Sequence, residues 1–326
     1  QVRGNSDSGN SLGGAIFVQP SLSMNMTIAN CLFDNNSVYC ESDGNGASGS
    51  AIDINPMNPD SWTDIQPILI EESIFKNNRS EVQGNNNWLV GAVRTGWNTH
   101  IYNSLFFNNR IQSGAAGDGG TTTIQYSFNP TSSEPNNVLA NNTIVGNFGS
   151  NSSGAMSAGP VDFWNSQAIV FNNIIWDNNG DNGGVSFGGE NGVKYNDYNN
   201  IQYKWGDNND FGPNTFQLEP KFKNPSSGNF QLSNNSPLID MGTFGAEGYD
   251  APVVDIRGYY RVGTPDLGAY EAGASKYLLA MTDDIEANED TTFVKLGQEL
   301  KVTVTTGDIE GNLVSSNEKM TWNIFP

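Results

Sequence analysis

Histidine occurs once in 326 residues, cysteine twice, and lysine plus arginine only 15 times. The single histidine, His100, falls in a strand-like stretch, where a lone histidine is usually structural. Two cysteines are too few for a disulfide framework; Cys31 and Cys40 either bond across a short loop or remain thiols. The 15 bases stand against 35 acids, a formal charge of −20. That balance disfavours nucleic acid and anionic membrane, since both are bound through clustered Lys and Arg. No apolar run approaches the roughly 18–20 residues that span a bilayer. The N-terminus lacks the basic-then-apolar order of a signal peptide and starts at Gln1, as a mature chain or a fragment does. Sustained helical periodicity is missing too.

What is abundant is asparagine: 46 residues, 42 of them in the first 235. Together with 37 glycines this resembles a disordered composition, but 11% aromatics spaced among Ile, Val and Leu argue for a packed chain. Low lysine with high Asn, Gly, Ser and Thr suits a secreted β-structure, and an extracellular or cell-surface location is expected.

The asparagines recur in a pattern: a small residue, two apolar residues, any residue, then Asn-Asn. Its copies are Cys31–Asn36, Ser73–Asn78, Ser104–Asn109, a loose Thr143–Asn147, and Ile174–Asn179, with Asp197–Asn200 as a weakened last one. Their starts are 42, 31, 39 and 31 residues apart over the first five. A small-residue motif leads most copies, at 13–16, 49–52, 90–93 and 154–156. Such a unit cannot bury its own apolar face, but stacked copies can, at about 4.8 Å per coil. This predicts an all-β, right-handed parallel β-helix with Phe33, Phe75, Phe106, Val145 and Trp176 in one interior column. Stacked Asn amides are expected to satisfy the bends and bond each other as a ladder. A propeller or sandwich would instead need regularly spaced hairpin turns.

Glu219-Pro220-Lys221-Phe222, Asn229–Leu232, Ser236–Gly242, Asp255-Ile256-Arg257-Gly258 and Asp266–Glu271 follow in order. This segment resembles the C-terminal end of right-handed parallel β-helix proteins of the pectate-lyase-like superfamily. The similarity is to large bacterial secreted and cell-surface proteins, many of them type IX secretion substrates. It implies a β-helix over 1–272, with coils to about 210 and a C-terminal cap at about 211–272. Asp255, Arg257, Arg261 and Asp266 either tie that cap to the last coil or are ordinary solvated charge. Residues 273–326 change composition, and Val294–Val304 and Thr321–Ile324 are similar to the opening strands of an immunoglobulin-like β-sandwich. Such a domain needs about 100 residues, so 273–326 is expected to be its incomplete start within a longer chain.

For chemistry, Asp53 and Arg94 fall in one column on adjacent coils, with Glu72 and His100 near them in sequence. They form either a lyase-like site or a surface ion pair worth at most ~1 kcal/mol. Trp62, Trp88, Trp97, Trp164 and Trp205 sit outside the repeated positions and offer platforms for sugar faces, unless they pack loops. Calcium is the one cofactor suggested, by Asp177, Asn179 and Asp181, or by Asp283, Asp284 and Glu286 at the domain junction; solvated charge explains both clusters as well. The expected function is a non-catalytic module in adhesion, glycan binding or spacing, with a polysaccharide or cell-surface glycan as partner. A polysaccharide lyase or glycosidase of the same fold is the alternative.

Overall fold

The computed structural model describes residues 11–18, 25–40, 46–54, 66–82, 89–96, 98–113, 121–127, 137–150, 160–164, 168–178, 185–186, 195–203, 211–274, 278–283 and 302–307. Four sheets of short strands run along one axis, and each strand pairs in parallel with its counterpart one coil away. The first sheet runs from Met26–Ala29 to Tyr195–Asp197, and the second from Leu32–Asp34 to Asn200–Ile201. The third has four strands from Ser37–Cys40 to Phe148–Ser150. The fourth begins with Ser11–Leu12 and Ile16–Val18 and ends at Val185–Ser186. These are the stacked sheets a parallel β-helix requires.

The asparagines make the corners. Between the first and second sheets, Asn30, Glu72, Asn103, Asn141 and Asn172 all have φ of 45–58°. Between the second and third, Asn35, Asn77, Asn108, Gly146 and Asp177 have φ of 52–62°. Asn and Gly tolerate this left-handed conformation better than most residues. The residue after each corner turns its side chain inward and upward. Asn36, Asn78, Asn109, Asn147 and Asn178 form one ladder, with spacings of 42, 31, 38 and 31 residues. Ser73, Ser104, Asn142, Asn173 and Asn199 form a second at the other corner.

Inside, Phe33, Phe75 and Phe106 stack at centroid distances of 4.8 and 4.5 Å, nearly parallel. The column then continues as Ile144, Ile175 and Ile201, not as Val145 and Trp176. The expectation slipped by one residue in both copies: it set Thr143 level with Ser104, whereas Thr143 pairs with Leu105, and it aligned Asn178-Asn179 with the earlier Asn-Asn pairs. The inward ladder residue is Asn178, preceded at the corner by Asp177. With side chains alternating between faces, a one-residue slip moves the whole strand inside out. Val145 and Trp176 therefore lie on the outer face, in register with Phe107. The fourth-coil member of the fourth sheet is likewise Thr121–Ser127, which carries no Gly-Ala signature. Residues 154–156 lie outside the described residues.

Residues 211–218 follow the edge of the last coil: Phe216 donates to the Asn199 carbonyl, and Ile201 donates to that of Phe216. The chain then turns back along the outer faces of the first two sheets instead of staying at the end of the helix. Phe230, Ile256 and Ala269 pack on Leu105 and Val145, while Leu232, Leu238 and Leu267 pack on Ile174. Corner asparagines hold it there. Asn172 exchanges hydrogen bonds with Thr243 at 2.7 and 2.8 Å, and Asn103 donates to the Val254 carbonyl. Arg261, buried against Glu271 at 2.9 Å, donates to Asn103 Oδ1. Asp255, Asp266 and Glu271 are fully buried within the same network. These charges thus tie the segment to the third coil, not the last.

Cys40 is buried beside Val38, Ala47, Val82 and Ile111, whereas Cys31 borders the main core, and both are free thiols. Beyond residue 273, Leu278–Asp283 pairs antiparallel with Val302–Gly307. Residues 284–301 and 308–326 lie outside the described residues.

Candidate functional site

On the fourth sheet Ile52, Ile54, Val93, Ile124, Tyr126, Val161 and Phe163 face the core. The alternating residues face out: Asp53 pairs with Arg94, Arg94 with Gln125, and Gln125 with Asp162, one per coil. The cross-coil juxtaposition of Asp53 and Arg94 is therefore present. It is not a surface pair. Asp53 is fully buried and Arg94 side-chain exposure is 15%. Arg94 approaches Asp53 Oδ2 at 3.4 Å, and the Ser48 hydroxyl donates to the same oxygen. Burial pushes the Asp53 carboxyl above its ordinary range, against the opposing pull of Arg94 and Ser48. Gln125 donates to Asp162 at 3.0 Å. Sequence reading missed Gln125 and Asp162, because Thr121–Ser127 carries no small-residue motif and the distance from this column to the ladder asparagine varies from coil to coil: Arg94 precedes Asn109 by 15 residues and Gln125 precedes Asn147 by 22.

Glu72 and His100 do not join this column. His100 lies on the outer face of the first sheet, buried edge-on between Tyr102 and Tyr249. Glu72 occupies a first-corner position with φ of 49°. Burial raises its carboxyl, with Asn30 opposing and Glu71 adding to the shift.

Trp62, Trp88, Trp97 and Trp205 lie outside the described residues. Trp164 ends the strand Val161–Trp164, in register with Ser127, so it belongs to the fourth sheet and not to a loop. Asn179, Asp181, Asp284 and Glu286 also fall outside the described residues, and Asp283 ends the strand Leu278–Asp283. Asp177 is an exposed second-corner residue whose backbone N–H donates to Gln202. Among the described residues no three His, Cys, Asp or Glu side chains gather as a metal site.

A second place combines shape with chemistry. Between the outer face of the second sheet and the returning segment lies a groove of about 760 Å³. That falls within the ~300–1,000 Å³ typical of small-molecule sites. Phe107, Val145, Trp176, Phe222 and Phe230 make its apolar floor, and Lys76, Asn108, Asp177, Glu219 and Lys221 stand among its polar groups. Lys221 has φ of 53°, a left-handed conformation unusual for lysine. The Lys76 ammonium is held 3.2 Å from Asp34.

No family model, no curated protein and no solved structure matches the chain.

Proposed function

We propose that the chain is a non-catalytic, extracellular or cell-surface module of a longer protein, a right-handed parallel β-helix that presents a glycan-binding surface on a rigid rod. Right-handed winding accords with the general rule for parallel crossover connections. The C-terminal motifs support a relationship to the pectate-lyase-like superfamily, and the polar, lysine-poor composition supports secretion. In this reading residues 273–326 begin an immunoglobulin-like domain.

The observation that carries the non-catalytic reading is the pairing within the fourth-sheet column. Asp53 is engaged by Arg94 and Ser48, and Asp162 by Gln125. Asp53 and Asp162 stand three coils apart, about 14 Å at roughly 4.8 Å per coil. Glycoside hydrolysis needs carboxyls about 5–9.5 Å apart. One observation favours an enzyme: a buried carboxyl with a raised pKa beside an arginine resembles a tuned acid–base group.

The test is turnover of pectin, alginate and chondroitin, with and without calcium, followed by absorbance of unsaturated product and by reducing ends. Background rates are expected on all three. Turnover that disappears in Asp53→Asn or Arg94→Ala would overturn the non-catalytic reading.

A further inference from the structure

The outer corner between the second and third sheets carries its own side-chain ladder. Asn77 Nδ2 donates to Asp34 Oδ1 at 2.8 Å, and Asn108 Nδ2 donates to Asn77 Oδ1 at 2.5 Å. In this order every amide points its nitrogen back one coil and its oxygen forward one coil. Asn108 Oδ1 therefore faces the fourth coil, where the next amide would donate to it. That position is Gly146, in the same left-handed conformation with φ of 62°. A Cβ built there would meet nothing within 4 Å. One coil further on, Asp177 supplies an exposed carboxylate at the equivalent corner.

The missing rung is thus a notch. It has an amide acceptor below, a carboxylate above, and a gap of about two coils, roughly 9.6 Å, between their backbones. The notch opens into the groove beside Val145 and Trp176. The half-buried indole of Trp176 rests against the cluster of Ile174, Leu232, Leu238 and Leu267, which fixes its orientation. Lys76 and Lys221 are balanced by Asp177 and Glu219, so the lining carries no large excess of either sign.

We infer that this groove is a carbohydrate site in which one sugar ring of a neutral glycan takes the place of the absent side chain. Its apolar C–H face lies against Trp176, and hydroxyls donate to Asn108 Oδ1 and to Asp177. A ring of this kind matches an aromatic floor flanked by acceptors two coils apart. A peptide or nucleotide gains less: the first brings no stacking face to Trp176 by necessity, and the second brings negative charge that a lining of balanced sign does not reward. The inference rests on the glycan-binding reading above and gives it a location.

The test uses the intact chain with cellohexaose, laminarihexaose, mannohexaose and chitohexaose as probes, read by calorimetry and by tryptophan fluorescence. Binding of at least one probe is expected, with affinity reduced tenfold or more in Trp176→Ala. The decisive variant is Gly146→Asn, which fills the notch with the residue the corner already uses at Asn77 and Asn108. It should abolish binding while the thermal midpoint stays equal to or above that of the parent chain. Binding unchanged in both variants would overturn the groove. Binding lost only in Trp97→Ala or Trp164→Ala would overturn it too, while leaving the glycan-binding reading in place. Absence of binding to every probe would overturn the groove and count against that wider reading.

Discussion

The side-chain oxygen of Asn109 accepts two hydrogen bonds from Asn78 on the preceding coil, one from its backbone N–H at 3.1 Å and one from its amide at 2.9 Å. Asn109 in turn donates to Asn147 Oδ1 and to the Phe75 carbonyl. Both residues are fully buried. Each ladder member thus satisfies backbone and side chain of its neighbours, where no water replaces a lost partner.

Asn109→Ala should therefore cost roughly 2–4 kcal/mol, since it orphans buried donors and acceptors on two coils. Asn108→Ala, one residue earlier on the exposed outer corner, should cost clearly less. Urea unfolding of the two variants measures the difference, and equal effects would contradict the assignment of inside and outside.

Core position should show in cavity energies. Phe75→Ala removes the middle ring of a stack and is expected to cost about 3–5 kcal/mol. Trp176→Ala removes a larger side chain but a half-buried one on the outer face, so its cost should be smaller. The reverse order in chemical denaturation would reinstate Trp176 as a core residue.

The Asp53–Arg94 pair should behave asymmetrically. Arg94→Ala leaves a buried carboxylate without its cation, a change on the order of 3–5 kcal/mol. Asp53→Asn keeps an oxygen for Ser48 and leaves a partly exposed guanidinium that water can reach, so its cost should be about 1 kcal/mol. Thermal midpoints of the two variants test this directly.

Asp266 sets a pH dependence. Burial raises its carboxyl to about 6, despite backbone donors at Ala272 and Asp240. The folded state then holds this proton more tightly than the unfolded chain, whose value is 3.8. Stability from this group is full below pH 4 and falls as pH rises to about 6, by at most ~3 kcal/mol. Asp53 and Glu72, also raised, add the same sign. Unfolding free energies across pH 4–7 should slope downward, and Asp266→Asn should flatten the slope.

Severing the returning segment is the fifth expectation. Arg261→Met leaves Glu271 buried without its cation and deletes the bond to Asn103. Limited proteolysis should then cut within 219–272 well before the coils, whereas the parent chain should resist.

Much of this was legible because the repeat is written in residues with narrow geometry. Asn at the corners and Phe three residues before the ladder position fixed the stacking of Phe33, Phe75 and Phe106. Legibility failed where chemistry allowed two registers. Asp177-Asn178-Asn179 offers two Asn-Asn alignments, and only hydrogen bonding between coils selects Asn178. That choice decides whether Trp176 faces the core or the groove. Nor does any local pattern announce that 219–272 runs back over the first and second sheets. Its anchors, Thr243 to Asn172 and Arg261 to Asn103, join positions 71 and 158 residues apart. The burial of Asp53 escaped because a carboxylate in an alternating strand looks solvent-facing, and nothing in the pattern shows that Ser48 on its own coil and Arg94 on the next close over it.

The returning segment also makes two kinds of coil. Along the ladder the bonding is the same from one coil to the next, so the rod has a natural unit of length and could be extended or shortened by whole turns. The first coil is free to vary in this way, because the anchors lie on Asn103 and Asn172 and the apolar contacts of the segment reach back to Ile74 of the second coil. An extra turn between those two asparagines would move one anchor by about 4.8 Å while the segment joining them kept its span. The strap acts as a fixed gauge over one stretch of the rod, and variation in length is directed toward the other end.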